Sequence, residues 1–229
     1  MAITELALLH LKTHPELTPT IKSALESGAS AQAKFSSHPV HLYTQLEDPS
    51  YIYLLGGWQS VSQHMTEWIP SQTNQAIMAS LAAEIEVVWM FHIDIEPQSE
   101  ETAAVTNPLN APVVAIARYF IPQSSRWEFD ETFTEVENLL QRVTAPRLLR
   151  AGYRVDDDCE IGEGEGEEEM MKKRKKKVAS EFVMFTGWET VQDHLGFAQS
   201  DAFKEFGKTR QYMVGADIRH ARLLGVVSL

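Results

Sequence analysis

The chain has 229 residues, of which 44% are hydrophobic and 23% charged, an ordinary balance for a protein that folds around an apolar core. Its formal net charge is −12, and the stretch 156–177, with nine acidic and six basic residues, explains only part of that excess. An acidic body argues against binding to a phosphate backbone, which requires a positive surface. We therefore expect no nucleic-acid partner.

A single cysteine, Cys159, excludes an intramolecular disulfide and a metal site built from cysteines. The N-terminal sequence lacks the basic start and apolar run of a secretory signal. Nowhere does the chain contain the ~18 consecutive apolar residues of a membrane span. We expect a soluble cytoplasmic protein without a membrane partner.

The first half is predicted to contain two helices and four strands. Thr18 is a suitable N-cap with Pro19 at the first helical position, and Pro70 is expected to break the second helix. The predicted order is strand 3–12, helix 17–35, strand 40–46, strand 51–58, broken helix 60–82 and strand 84–96.

The second half repeats this order. Asp130 is expected to cap its first helix, and residues 189–211 are expected to form one helix with an apolar stripe of Val191, Leu195, Ala198, Ala202 and Phe206. The predicted order is strand 111–121, helix 130–143, strand 146–155, strand 179–188, helix 189–211 and strand 212–227. A linker at 98–111 divides the halves 1–97 and 112–229.

The two halves also share a motif. "GGWQSVSQH" in the first half and "GWETVQDH" in the second place Val and His at the same distances after Gly-Trp. A tandem duplication explains this repetition. Each half reads as a ferredoxin-like βαββαβ unit, so we predict an α+β fold in which two antiparallel sheets pack face to face as an intramolecular barrel.

The segment 156–178 interrupts the second half. It holds the acidic run "EGEGEEE" beside the basic run "KKRKKK" and has few apolar residues, so it is expected to be disordered. One interpretation is a solvated insertion between two strands. The other is a binding tail or a nuclear localisation signal.

The stretch "GWETVQDHLGFAQSDAFKEFGK", residues 187–208, resembles the signature of the dimeric α+β barrel superfamily, in its antibiotic-biosynthesis-monooxygenase branch. "GGWQSVSQH" resembles it more loosely. The resemblance implies a barrel that is normally built by two subunits and here by two halves. Members of the superfamily include cofactor-independent oxygenases, haem-degrading enzymes, isomerases and lyases, and domains without known activity.

Two comparisons with that superfamily restrict the activities that the resemblance implies. Haem-degrading members carry a second Trp and an iron-ligating His where this chain has Phe197 and Gly207, or Glu67 and Ile77. The resemblance therefore implies no haem. Oxygenases acting on polyketide-like compounds share the Trp. They have a Tyr where this chain has His64 and His194, and an Asn where it has Leu54 and Met184.

The candidate catalytic residues are His194, Trp188, His64 and Trp58. A half-buried neutral imidazole can act as a general base near neutral pH, and an indole can stack on a flat substrate or donate a hydrogen bond. The alternative is that each His is a hydrogen-bonded core residue and each Trp a packing residue. His92 with Asp94, and His220 with Asp217, are too scattered to predict a metal site.

Three functions follow from these residues. The first is a cofactor-independent monooxygenase-like enzyme that acts with O2 on a small hydrophobic compound bearing an acidic C–H or O–H, polyketide-like or oxylipin-like. The second is a lyase or isomerase with the same base, and the third is a non-catalytic ligand-binding or stress-response protein. The second half is the favoured site because Pro70 breaks the corresponding helix of the first. A homodimer is compatible with all three.

Overall fold

The computed structural model describes residues 2–13, 15–97, 105–156 and 179–227. The predicted charged insert, Cys159 included, lies outside the described residues except for Asp156. The first seven residues of the predicted linker, 98–104, also lie outside them.

The observed elements follow the predicted order. They are β1 (Ile3–Leu11), α1 (Pro19–Ser36), β2 (Val40–Gln45), β3 (Tyr51–Trp58), a π-helical segment (Gln63–Trp68), α2 (Gln72–Leu81), β4 (Ile85–Ile93), a 3-10 turn (Pro108–Asn110), β5 (Val113–Pro122), a second 3-10 turn (Gln123–Ser125), α3 (Arg126–Thr144), β6 (Arg150–Tyr153), β7 (Ala179–Trp188), α4 (Val191–Phe197), α5 (Asp201–Phe206), a 3-10 segment (Gly207–Tyr212) and β8 (Gly215–Val227).

The strands form one antiparallel sheet in the order β4-β1-β3-β2-β8-β5-β7-β6. Each half contributes four neighbouring strands in the same internal order, and the halves join where β2 pairs with β8. The outer edges also meet, because the Asp94 N–H donates to Tyr153 O and the Val155 N–H donates to His92 O, both at 2.9 Å. The sheet thus closes into a barrel within a single chain, which confirms the predicted α+β fold class.

Strand pairing follows the same register in both halves. Ile3 of β1 pairs with Trp58, and Val113 of β5 pairs with Trp188. His92 of β4 pairs with Glu5, and His220 of β8 lies opposite Ala115. These positions in one half therefore have definite counterparts in the other, although β1 and β4 shift register between Leu8 and Leu9 and β5 and β8 do not.

Residues from both halves share the core inside the barrel. Leu6, Tyr43 and Phe91 of the first half pack there with Ile116 and Phe185 of the second, all almost fully buried. The two four-stranded halves shield one another's inner faces, as predicted, although they are joined in one continuous sheet and not in two. The helices cover the outer faces over separate apolar clusters. None of the helices in the described part of the chain is long and apolar enough to cross a membrane.

The sequence-based account of the helices is partly confirmed. Thr18 caps α1, its side chain accepting a hydrogen bond from the Ile21 N–H, and Pro19 is the first helical residue. The second helix is interrupted around Pro70: the π-helical segment ends at Trp68, and α2 begins again behind the N-cap Ser71.

Two helix predictions are wrong. Asp130 does not begin α3, which starts at Arg126; its carboxylate instead accepts a hydrogen bond from the Tyr153 hydroxyl. Residues 189–211 do not form one helix, because Ser200 caps a new helix with its side chain on the Phe203 N–H. Within α4, Leu195 of the predicted stripe is 48% exposed, while Phe197, which the stripe omits, is buried.

The glycine before each Trp allows another segment to approach the strand closely. A Cβ on Gly57 would lie 2.6 Å from the Cβ atoms of His38 and Pro97, and one on Gly187 would lie 2.8 Å from the Ala111 Cβ. Real side chains do not approach so closely. The repeated Gly-Trp therefore has a packing reason that is the same in both halves.

A buried histidine inside the barrel makes the fold sensitive to acid. His41 is 6% exposed and lines a small cavity of about 20 Å³ together with Arg150. Burial, and then the charge of Arg150, lower the pKa of His41 to about 4, against an ordinary value of 6.5. The unfolded chain therefore binds more protons than the folded one between these pH values.

We expect the free energy of unfolding to fall as the pH decreases from about 6.5 to 4, because the buried His41 resists protonation in the folded protein. The stability associated with neutral His41, on the order of 2–3 kcal/mol, is fully present above pH 6.5 and is lost on acidification. Urea unfolding of wild type and His41→Gln at neutral and acidic pH measures it. The variant should show a correspondingly smaller acid loss, and equal losses in both proteins would contradict the assignment.

Candidate functional site

The four predicted site residues form two equivalent pairs on the outer, helix-covered face. His64 stacks on Trp58, with ring centroids 4.2 Å apart and an interplanar angle of 10°, and His194 stacks on Trp188 at 4.7 Å and 26°. Both indoles are almost completely buried. Each Trp thus holds its histidine at the end of a strand, but the two pairs belong to separate sites.

In the first half, the pair continues into a hydrogen-bonded chain. His64 Nδ1 lies 2.7 Å from His92 Nε2, and His92 Nδ1 lies 3.0 Å from Asp156 Oδ2. The backbone N–H of His92 also donates to Asp156 Oδ1. The carboxylate comes from the second half of the chain, just beyond β6.

The second half repeats the arrangement. His194 Nδ1 lies 2.8 Å from His220 Nε2, and His220 Nδ1 lies 2.6 Å from Glu47 Oε1. The Glu47 carboxylate also accepts the backbone N–H of His220. This carboxylate comes from the first half, just beyond β2, so each half completes the other's site.

Glu47 and Asp156 are structural counterparts. Leu42 of β2 pairs with Leu54, and Ala151 of β6 pairs with Met184, at matching positions of β3 and β7. Glu47 follows Leu42 at the same spacing in the sequence as Asp156 follows Ala151. We refer below to His194, His220 and Glu47 as the open relay, and to His64, His92 and Asp156 as the closed relay.

The hydrogen-bond pattern assigns the protons of the open relay. A carboxylate only accepts, so His220 Nδ1 carries a proton for Glu47, and in the neutral tautomer of His220 with that proton its Nε2 is an acceptor. His194 Nδ1 must then donate to His220 Nε2. This leaves a bare lone pair on His194 Nε2, for which the described residues provide no hydrogen-bond partner.

Electrostatics keep both outer histidines neutral. Burial, and then the neighbouring His220, lower the pKa of His194 to about 4 against the opposing effect of Glu47. Burial likewise lowers the pKa of His64. Burial raises the pKa of Asp156, but hydrogen bonds from His92 and the charge of Arg154 outweigh this and hold it below its ordinary value.

The two sites differ in what surrounds the outer histidine. Glu5 Oε2 accepts hydrogen bonds from Trp58 Nε1 and Gln32 Nε2, both at 2.8 Å, and lies 3.8 Å from His64 Nε2. His64 is consequently enclosed, at 2% exposure. The first-half site therefore has a second carboxylate where a substrate would have to approach its imidazole.

In the second half, Ala115 stands where Glu5 stands in the first. Trp188 Nε1 donates instead to Thr186 Oγ1 at 2.8 Å, and His194 is partly exposed. Each indole N–H thus has a protein acceptor, so donation from an indole to a substrate, which the sequence suggested, is not available. The role the geometry gives each Trp is to hold a His.

A cavity of about 500 Å³ lies on the helix-covered face of the second half. Its walls include Phe203 and Phe206, whose rings lie 5.5 and 5.9 Å from that of Phe197. Phe197 in turn lies 6.1 Å from Trp188. The cavity and the open relay therefore share one aromatic cluster, with Phe197 between them.

Two positions specified by the haem-degrading pattern do not fit a haem iron. Phe197, at the position of the second Trp, packs in the aromatic cluster, and Gly207, at the position of the iron ligand, has no side chain to coordinate iron. Within the described ranges, no group of three or more His, Cys, Asp or Glu is arranged to hold a metal ion.

The sequence analysis predicts the two His–Trp pairs as site residues, but it does not predict the two relays behind them. The sequence predicts His92 and His220 only as scattered histidines, places Asp156 in the charged insert, and leaves Glu47 between the strands predicted at 40–46 and 51–58. A usable signal existed, because both carboxylates follow equivalent strands of the two predicted halves. Asp156 in fact belongs to the folded body, with its side chain 3% exposed.

No family model matches the chain, and no curated protein matches its sequence. Solved structures do match its fold. A candidate monooxygenase from Fusobacterium nucleatum is 12% identical, with a TM-score of 0.61 over 99% of this chain and 94% of that one. An anthrone oxidase-like protein is 9% identical, with a TM-score of 0.63 over 99% and 93%.

A chlorite dismutase from Candidatus Nitrospira defluvii is 11% identical, with a TM-score of 0.54 over 98% of this chain and 91% of that one. These similarities establish the fold, an α+β barrel, as the sequence predicted. The matched chains are covered almost completely, so both halves of the barrel have counterparts in them.

Proposed function

We propose that this single-chain barrel is a cofactor-independent monooxygenase-like enzyme that acts on a small hydrophobic compound with an acidic C–H or O–H. The observation that carries the proposal is the open relay, which presents the bare Nε2 of His194 with two groups behind it to share the resulting charge. The monooxygenase and anthrone oxidase-like proteins of the same fold support the choice of reaction.

The proposed reaction begins with proton transfer to His194 Nε2. The imidazolium that forms is stabilised by its Nδ1–H donation to His220, which is held by Glu47. The substrate anion then transfers one electron to O2, and the two radicals combine into a peroxide. Loss of water leaves a carbonyl, so one CH2 and one O2 give one C=O and one H2O.

The pKa of His194 restricts the substrates. At about 4, the imidazole is neutral and ready to accept a proton at neutral pH, but it is a weak base. Such a base can deprotonate only compounds whose proton is already acidic. An example is a CH2 group between two aromatic rings that are conjugated with a carbonyl group. This agrees with the substrate class predicted from the sequence.

Anthrone is the probe for this proposal because its CH2 is acidic and its oxidation to anthraquinone consumes one O2. We expect His194→Ala to lower O2 consumption about 100-fold, the usual contribution of a general base. His64→Ala is the matched variant in the enclosed site and should retain the wild-type rate per folded molecule. Equal rates for wild type and His194→Ala would contradict the proposal.

A lyase or isomerase is the second candidate, because nothing in the open relay is specific to O2. The same base would then remove a proton and return it elsewhere, with no oxidation. Turnover that continues without O2 and still depends on His194 identifies this alternative.

We also infer that the halves arose by tandem duplication and belong to the antibiotic-biosynthesis-monooxygenase branch. The repeated motif, the matching strand registers and the reciprocal carboxylates support the duplication. The domain limits at residues 1–97 and 112–229 stay predictions. The formation of a homodimer also stays a prediction.

A further inference from the structure

The cavity of about 500 Å³ contains an unusual buried hydroxyl. Tyr119 lies on β5, is 6% exposed and lines the cavity, yet its hydroxyl has no hydrogen-bond partner among the described residues. Burial raises its pKa, so the group is a neutral O–H donor. Leaving a buried donor unpaired destabilises a protein, which indicates a partner that is not part of the fold.

The rest of the cavity indicates the chemistry of that partner. Apolar side chains form most of its walls, Phe203, Phe206 and Met213 among them. Arg210 also lines it and is exposed. The nearby Lys204 and Lys208 pair with acidic residues, but Arg210 has no acidic partner in the described part of the chain.

We propose that this cavity binds an apolar carboxylic acid that carries a second oxygen acceptor, a keto-acid. Its carboxylate pairs with Arg210, its apolar body packs against Phe203 and Phe206, and its carbonyl oxygen accepts the Tyr119 hydroxyl. A cavity of this volume is within the range of small-molecule sites. The proposal concerns binding and stands apart from the proposed oxygenation.

The experiment compares 9-oxodecanoate with decanoate, which lacks only the ketone, by calorimetric titration of the full chain. We expect Tyr119→Phe to weaken binding of the keto-acid about tenfold and to leave decanoate unchanged. Arg210→Gln should weaken both acids about tenfold. Lys204→Gln removes an exposed cation that pairs with Asp201 outside the cavity, so it should bind both acids like wild type, whether or not the oxygenation proposal holds.

Thermal unfolding of the free protein gives an independent readout. Tyr119→Phe removes an unpaired hydroxyl and should raise the Tm by a few degrees. The matched variant Tyr153→Phe removes a hydroxyl that donates to Asp130 and should lower it. Failure of both acids to bind, equal weakening of both by Tyr119→Phe, or a lower Tm for that variant would overturn the proposal.

Discussion

Replacing Glu47 with Gln is expected to lower turnover of anthrone about 100-fold while the protein keeps its fold. A glutamine amide offers a donor as well as an acceptor, so it no longer requires a proton on His220 Nδ1. The order of protons in the open relay is then lost, and so is the bare lone pair on His194. Glu47 is about one-third exposed, so its loss should affect stability little.

Asp156→Asn is the matched variant, because Asp156 is the counterpart of Glu47 in the closed relay. Its side chain is buried and accepts two hydrogen bonds from His92. We expect a loss of about 2 kcal/mol in unfolding free energy and unchanged turnover per folded molecule. Steady-state kinetics and urea unfolding of both variants distinguish the two roles. Equal effects of the two substitutions on turnover would contradict the division into an open and a closed relay.

The largest effect on stability is expected for Glu5→Ala, on the order of 4 kcal/mol. The substitution removes the shared acceptor of Trp58 Nε1 and Gln32 Nε2 and leaves two buried donors unpaired beside a cavity. Chemical denaturation measures the loss.

The second half suggests how to repair this loss. There, Ala115 and Thr186 occupy the positions of Glu5 and Gly56, and Thr186 accepts the Trp hydrogen bond. Gly56→Thr alone should destabilise, because its Cβ would overlap the Gln32 amide. Combined with Glu5→Ala, Gly56→Thr supplies a new acceptor for the Trp58 indole. The double variant should therefore be about 1–3 kcal/mol more stable than addition of the two single effects predicts. Strict additivity would show that the two tryptophan sites are not interchangeable.

Local signals explain what the sequence predicted well. Thr18 and Pro19 fix the start of α1 through interactions within one helical turn. The repeated Gly-Trp-x-x-Val-x-x-His led to two equivalent halves because it spans a strand end and the following helical segment. These features depend on neighbours in the chain.

The relays depend on contacts between distant residues. Glu47 meets His220 only because β2 pairs with β8, and Asp156 meets His92 only because the barrel closes between β4 and β6. Neither contact follows from periodicity. The stripe predicted on residues 189–211 is only partly right: Phe206 is buried as predicted, but α4 packs Phe197 and not Leu195 into the aromatic cluster.

The most direct test of this account is the protonation of the His194 imidazole, measured by ¹⁵N NMR of its ring nitrogens at neutral pH. The account predicts a proton on Nδ1 and none on Nε2 in wild type, with that preference lost in Glu47→Gln. A proton on Nε2 in wild type, or identical spectra for the two proteins, would mean that the carboxylate from the first half does not prepare this histidine as a base.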